Sequence, residues 1–425
     1  MQFNPTLHKL SNGVTVILDP MDIETACVKV RFATGGRDEQ PHEYGITHLC
    51  EHMFCKGTKR FPNANDIKEF LDCHGGFRNA ATSLNSLNFF GRIIADNINV
   101  LIDALADQIQ NSEFDEKKIE IERGAISDEL RRYLDNDRNK FTDFIDKKTF
   151  GIYVPNGTVV LGNSETIYSF TRKQMLDFIA HRLSGHNCTI CVSGRILDKE
   201  SVLENLEKRF SFLGDFDVSE NQEIEYTPVV AHYKNNTNKN VKLHIYFPEI
   251  YSGTFENRYK NICVRRFERY VAEKMIDVLR NKNGMVYGFD NVASGNEKFG
   301  LNGFVTQTSV ENLPNVVAIM AQEMRSIYND MPITDDDLHR FVARNMLGDA
   351  DFLESAPRRC DTLLSFYHHH GVLYDFNNYV ELSRSVNLAD VSEYSRGYFD
   401  GAISILTHGP NFDSNLKQIW IDNFK

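Results

Sequence analysis

The chain repeats a local pattern half its length apart. A helical stretch, Lys173–Arg182, leads into a strand-like run, Cys188–Val192, and then Gly194. Far downstream, a second helical stretch, Leu388–Phe399, leads into Ala402–Leu406 and Gly409. The two glycines stand about half of the 425 residues apart. Recurrence at that period indicates a duplicated unit, and helix mixed with strand in each copy makes it α+β. The expected architecture is two homologous domains, each an antiparallel-rich sheet packed with helices. Residues 1–213 form the first and 241–425 the second. Residues 214–240, polar and acidic and then rich in asparagine, link them.

Within the first half, Val14–Leu18 and Cys27–Ala33 read as strands. A helix over Tyr44–Cys55 is stopped by Lys56-Gly57-Thr58. Ala64–Cys73 is amphipathic, and Phe77–Ala95 is extended with a turn near Asn85. Asn97–Gln110 returns to helix, with Leu101, Leu105 and Ile109 on one stripe. Asp115–Leu134 reads as a long, charged helix.

Residues His48-Leu49-Cys50-Glu51-His52 carry the chemistry. On a helix, positions i and i+4 share a face and i+3 lies beside them. Both imidazoles can reach one metal ion, with Glu51 beside a water on that metal. Such a site needs a third protein ligand from another element. Glu122 and Glu129 lie two turns apart on one helix and face the same way. One can coordinate the metal while the other sits behind it, bonded to a ligand histidine. The H-x-x-E-H order is the inverzincin signature.

The stretch His48–Thr58, HLCEHMFCKGT, resembles the pitrilysin/insulysin family of zinc peptidases, whose half-length members include the mitochondrial processing peptidase. The resemblance implies that His48, His52 and Glu129 hold one zinc per chain. It makes Glu51 the general base that activates a zinc-bound water, with Glu122 behind a ligand histidine. Phe77–Ser83 resembles the family's Asn-Ala-x-Thr edge strand, so Asn79 and Ala80 would pair with a peptide substrate. Leu279–Tyr287 resembles a motif whose arginine and tyrosine, here Arg280 and Tyr287, hold the substrate and steady the oxyanion. One departure stands out. A Gly- and Ser-rich loop is usual ahead of that motif, whereas Phe267–Lys274 contains no glycine.

Length extends the inference. Four-domain relatives fold as a two-halved clamshell chamber, and this chain resembles one half. It carries both residue sets and no second HxxEH, which implies a homodimer with Arg280 and Tyr287 acting in trans. The implied activity is a zinc endopeptidase acting on peptides or unfolded segments held in the chamber. A scaffold subunit of the same family and a small-molecule amide or ester hydrolase are the alternatives.

Composition narrows the remaining classes. The net charge of −12 argues against a nucleic-acid surface. No run approaches about 18 apolar residues, and the first residues show no charged leader, so a cytoplasmic protein without membrane contact is expected. Eight cysteines without framework spacing fit a reducing compartment. Cys188 and Cys191 form a CxxC, but on a strand they face opposite sides, against a shared metal. Cys50 and Cys55 read as packing residues. His368-His369-His370 do not share a helix face and are no metal cluster. His74, ahead of Gly75-Gly76, reads as a helix C-terminal residue.

Overall fold

The computed structural model describes residues 3–218, 226–251, 253–295 and 300–424. The first half runs β1 (Thr6–Lys9), β2 (Thr15–Pro20), β3 (Thr25–Phe32), α1 (Ile46–Phe54), α2 (Ala64–Asp72), β4 (Phe77–Thr82), β5 (Leu87–Ile94), α3 (Ile98–Asn111), α4 (Glu116–Asp135) and α5 (Asp137–Phe150). Short strands β6 (Gly157–Thr158) and β7 (Gly162–Asn163) precede α6 (Ser164–Ser169), α7 (Arg172–Arg182), β8 (Cys188–Gly194) and α8 (Lys199–Phe210). The second half runs β9 (Val230–Lys234), β10 (Asn240–Pro248), α9 (Arg258–Met275), β11 (Phe289–Gly295), β12 (Gly300–Ser309), α10 (Leu313–Asp330), α11 (Asp335–Glu354), α12 (Ala356–His370), α13 (Phe376–Ser385), α14 (Leu388–Tyr394), β13 (Ser404–Gly409) and α15 (Leu416–Asn423).

The duplication is explicit in the strand order. One sheet reads β1-β2-β8-β3-β5-β4 and the other β11-β12-β10-β13-β9. Apart from β1, the orders superimpose with β2, β3, β4, β5 and β8 matching β9, β10, β11, β12 and β13. In both sheets the last strand is parallel to the first of its repeat and antiparallel to the second. Gly194 and Gly409 end the matched strands with φ of +134° and +149°. A Cβ on either would press on a neighbouring carbonyl, Thr25 O at 2.3 Å or Asn240 O at 2.6 Å. Those contacts and angles explain why glycine recurs.

Two compact units result, and neither is contiguous. One contains Met1–Lys140, Tyr153–Glu223 and Asp349–Asp375; the other contains Phe141–Ile152, Ile224–Gly348 and Phe376–Lys425. They differ from the blocks 1–213 and 241–425 by an exchange of matched helices: α5 and α12 follow corresponding elements, and each belongs to the other half's unit. Of the expected linker, 219–225 lie outside the described residues and Val230–Lys234 forms β9.

In the first unit, Val28, Val30, Phe89 and Ile190 build the core with α1, α3, α4 and α8. The opposite sheet face lies under α12. There Arg359 donates Nε–H to Asp19 Oδ2 at 2.7 Å, and neither side chain is exposed. Ser193 also donates to Asp19, and Lys29 pairs with Asp361. Cys188 belongs to the core, whereas the Cys191 thiol lies beside Ser193 on the other face. In the second unit, Phe141 and Ile145 of α5 cover Tyr246, Leu301 and Leu406.

One helix is shorter than the sequence pattern indicates. Leu388–Phe399 is helical only to Tyr394, because a turn at Gly397 (φ +84°) brings Tyr398 and Phe399 into the core. The Tyr398 hydroxyl donates to buried Glu268 at 2.8 Å. Among the described residues, no helix is long and apolar enough to cross a membrane.

Arg359→Met should leave Asp19 buried without its cation and cost about 3–5 kcal/mol, read from urea midpoints. Asp19→Asn together with Arg359→Met should recover part of that loss. A second expectation concerns pH. Burial pushes Glu268 up to about 7. The folded chain therefore keeps this proton while the unfolded chain loses it, and stability from Glu268 falls as pH rises from 4.5 to 7. Glu268→Gln, always neutral, should gain stability relative to wild type across that window. Parallel pH profiles for the two proteins would rule this out.

Candidate metal centre

The site starts with the position of α1. Gly45 precedes the helix at φ +95°, where a Cβ would lie 2.8 Å from Gly162 N and Leu161 O. Glu39, buried, accepts two N–H groups of the first turn, Gly45 N–H at 2.7 Å and Thr47 N–H at 2.8 Å. These constraints start the helix at Ile46, two residues later than the sequence reading. Burial lifts the Glu39 carboxyl to about 8, against the pull of the Thr47 and Gly45 donors. The second element, α4, is capped by Asp115 accepting from Lys118 N–H. It packs beside α1 through Ile126 and Leu130.

Between the helices, one ligand atom each from His48, His52 and Glu129 lies within 4.8 Å of the others. Glu129 Oε2 is 3.9 Å from His48 Nε2 and 3.8 Å from His52 Nε2. These separations exceed a hydrogen bond. An ion bonded at about 2.0–2.2 Å to each atom spans gaps of that size. Two imidazoles and a carboxylate are a donor set suited to zinc. Burial and then the neighbouring His52 push His48 down to about 3, so its imidazole is neutral, the ligating form. His52 donates Nδ1–H to Glu122 Oε2 at 2.9 Å, which leaves the Nε2 lone pair facing Glu129. The residues present therefore fit zinc.

Glu51 accepts from the Thr82 hydroxyl at 2.7 Å. Burial raises its carboxyl; the Thr82 bond and His52 oppose that, and Glu129 adds to it. Burial alone would also raise Glu122, but bonds from His52 and Lys56 outweigh it and hold the carboxyl low. Lys56 Nζ lies 2.7 Å from Glu122 Oε1.

Thr82 belongs to β4, the edge strand that also holds Asn79 and Ala80. Asn79 Oδ1 accepts the Ala80 N–H at 2.9 Å. Arg280 and Tyr287 belong to the second unit, where the guanidinium stands 5.2 Å from the ring centroid. Arg280 lies on a π-helical continuation of α9, Ile276–Lys282, and Tyr287 is 86 % exposed. Phe267–Lys274, lacking the glycines, is uninterrupted helix in α9. His368–His370 form the last turn of α12, ended by Gly371. His74 donates Nδ1–H to Phe70 O behind α2. Cys50 is core, and Cys55 accepts from Arg78 and Gln108.

Sequence reasoning missed Glu39, Thr82 as the partner of Glu51, and Lys56. Alternation along β4 held a signal for Thr82, since Ala80 and Thr82 share a face and Ala80 is core.

Residues 15–158 match the family model described as Insulinase (Peptidase family M16), and 169–345 match the one described as Peptidase M16 inactive domain. The chain belongs to peptidase family M16. A relative in Rickettsia bellii, an uncharacterized zinc protease, is 24% identical to this M16 chain over 97% of it and 99% of its own length. An uncharacterized zinc protease of Bacillus subtilis is 32% identical over 48% of this chain and 49% of its own. A probable mitochondrial-processing peptidase subunit beta of Arabidopsis thaliana is 29% identical over 52% of this chain and 41% of its own. The match thus spans nearly all of the first relative and half or less of the other two. A protease from Helicobacter pylori shares the fold at TM-score 0.79 and 17% identity, over 96% of this chain and all of that one. A Pseudomonas fluorescens structure titled as a peptidase M16 inactive domain shares it at 0.82 and 14%, over 97% and 100%.

Glu39→Ala removes the acceptor for the Gly45 and Thr47 N–H groups at the start of this M16 helix. It should cost about 1–2 kcal/mol of stability, read from urea melts. An unchanged midpoint would remove Glu39 from the account.

Proposed function

We propose that this M16 chain is a zinc-dependent endopeptidase acting on peptides or unfolded segments within an enclosed chamber. The observation that carries the reading is the convergence of His48, His52 and Glu129 beside Glu51. All four lie within 15–158, the part matched by the insulinase model, whereas the inactive-domain model begins at 169.

His48, His52 and Glu129 would hold one zinc. Zinc bound there supplies a Lewis acid that activates water and polarises a carbonyl. Glu51 accepts the proton of the attacking water and delivers it to the leaving amine. Thr82 holds the Glu51 carboxylate by Oε2, which leaves Oε1 for that proton. Glu122 orients His52. The substrate backbone adds to the edge at Asn79 and Ala80, with Asn79 Oδ1 giving up the Ala80 N–H to it. Arg280 holds the substrate, and the Tyr287 hydroxyl donates to the tetrahedral oxyanion.

In this reading two copies pair as clamshell halves, each lending Arg280 and Tyr287 to the other. The exposure of Tyr287 supports this. Eight free cysteines fit a reducing cytoplasm. A scaffold subunit is the second reading, favoured by the inactive-domain match over 169–345.

The test is cleavage of a quenched fluorogenic peptide library by wild type and Glu51→Gln, with zinc counted per chain. Both should carry about one zinc, and the variant should lose about 10²–10⁴-fold in rate. Zinc-loaded wild type that cleaves nothing would hand the chain to the scaffold reading.

A further inference from the structure

Lys56 takes no part in the reaction above, yet its ammonium reaches the interior of the site. Its Nζ lies 2.7 Å from Glu122 Oε1, while Glu122 Oε2 accepts from His52 Nδ1 at 2.9 Å. The Glu122 side chain is 5% exposed, so these two partners account for the oxygens of a buried carboxylate. The Lys56 backbone is fixed as well, since Lys118 of α4 donates Nζ–H to Lys56 O at 3.0 Å. Lys56 and Glu122 thus form a second connection between the end of α1 and α4, one layer behind the histidines.

We propose that Lys56 is a positioning residue for the metal centre and acts through Glu122. The inference rests on the zinc reading above. Carboxylate torsions are broad and roughly two-fold. A Glu122 bonded to His52 alone would be free to turn about that one anchor. With Oε1 held by Lys56, the carboxylate plane is fixed and Oε2 stays in line with Nδ1–H. His52 is then held in one tautomer and one tilt, with Nε2 presented toward Glu129. The chain Lys56–Glu122–His52 sets metal affinity from behind the ligand.

Simple electrostatics predicts the opposite sign. Removing a cation beside a divalent-metal site should tighten metal binding. Loss of positioning should weaken it. The sign of the effect separates the two accounts.

The experiment measures zinc affinity of the full chain by competition with a chromophoric chelator. The proteins are wild type, Lys56→Met, Lys56→Gln, Lys56→Arg, Glu122→Gln, and Lys56→Met with Glu122→Gln. The absorption spectrum of the cobalt(II)-loaded form is the second readout. Lys56→Met and Lys56→Gln should bind zinc about tenfold more weakly and alter the cobalt spectrum, with urea midpoints recorded alongside. Lys56→Arg should return to within about threefold of wild type, because a guanidinium can also donate to Oε1. In the Glu122→Gln background, Lys56→Met should add no further loss. Unchanged or tighter zinc binding by Lys56→Met, in a wild type that binds one zinc, overturns the Lys56 proposal and leaves the metal reading standing. An equal loss in the Glu122→Gln background also overturns it, since Lys56 would then not act through Glu122. Wild type that binds no zinc overturns both.

Discussion

A sheet buried on both faces needs cover for the second one, and that requirement organises this protein. In the first unit the α1 side of the sheet is apolar and closed by its own half of the chain. The other side presents Asp19, Lys29, Cys191 and Ser193, and α12 meets it with Arg359 and Asp361. The Asp19–Arg359 pair has neither side chain exposed. Replacing such a pair whole by apolar groups is often neutral for stability, whereas leaving one member unpaired is costly, so this face is matched to a helix that carries a cation at that point. It is a chemical address for one helix on one face. The second unit meets the same need with apolar and aromatic groups around Phe141.

The candidate metal centre lies on the α1 side of the same sheet. With the sheet fixed, β4 and α1 are held together, and Glu51 and Thr82 meet across them. α4 then sets Glu122 and Glu129 against the two histidines. Several groups around the candidate centre are held by something behind them: Glu39 under the start of α1, Thr82 beside Glu51, and Lys56 behind Glu122. Precision at a metal site comes from such supporting contacts as much as from the ligands.

Much of this was legible in the sequence, for physical reasons that differ by element. Helical period exposed α3 and α4, whose apolar or acidic positions recur on one face. Spacing exposed His48 and His52 as a pair and Glu122 and Glu129 as candidates on one helix face, and the family resemblance chose Glu129 between them. The repeated helix–strand–glycine pattern exposed the duplication, since a strand end that crowds a neighbouring carbonyl demands glycine. Three things stayed hidden. Amphipathicity says that α5 and α12 bury a face, but not against which sheet. Glu39 caps α1 from a loop, where no period marks it. Lys56 read only as part of a helix stop, because its partner lies far away in sequence on α4.

The helix exchange also bears on how the protein is made. Residues His48 to Glu129 leave the ribosome within the first third of the chain, and the sheet behind them can begin to pair by Gly194. Its second face, with Asp19 and the strand thiols, has no cover until α12 has been synthesised. The nascent first unit therefore waits, half-clad, through most of the second half's translation. Vectorial completion of one domain before the next is closed to it. The sheet that supports the candidate metal centre is completed late, once α12 exists, and a polypeptide interrupted in mid-synthesis leaves it unfinished.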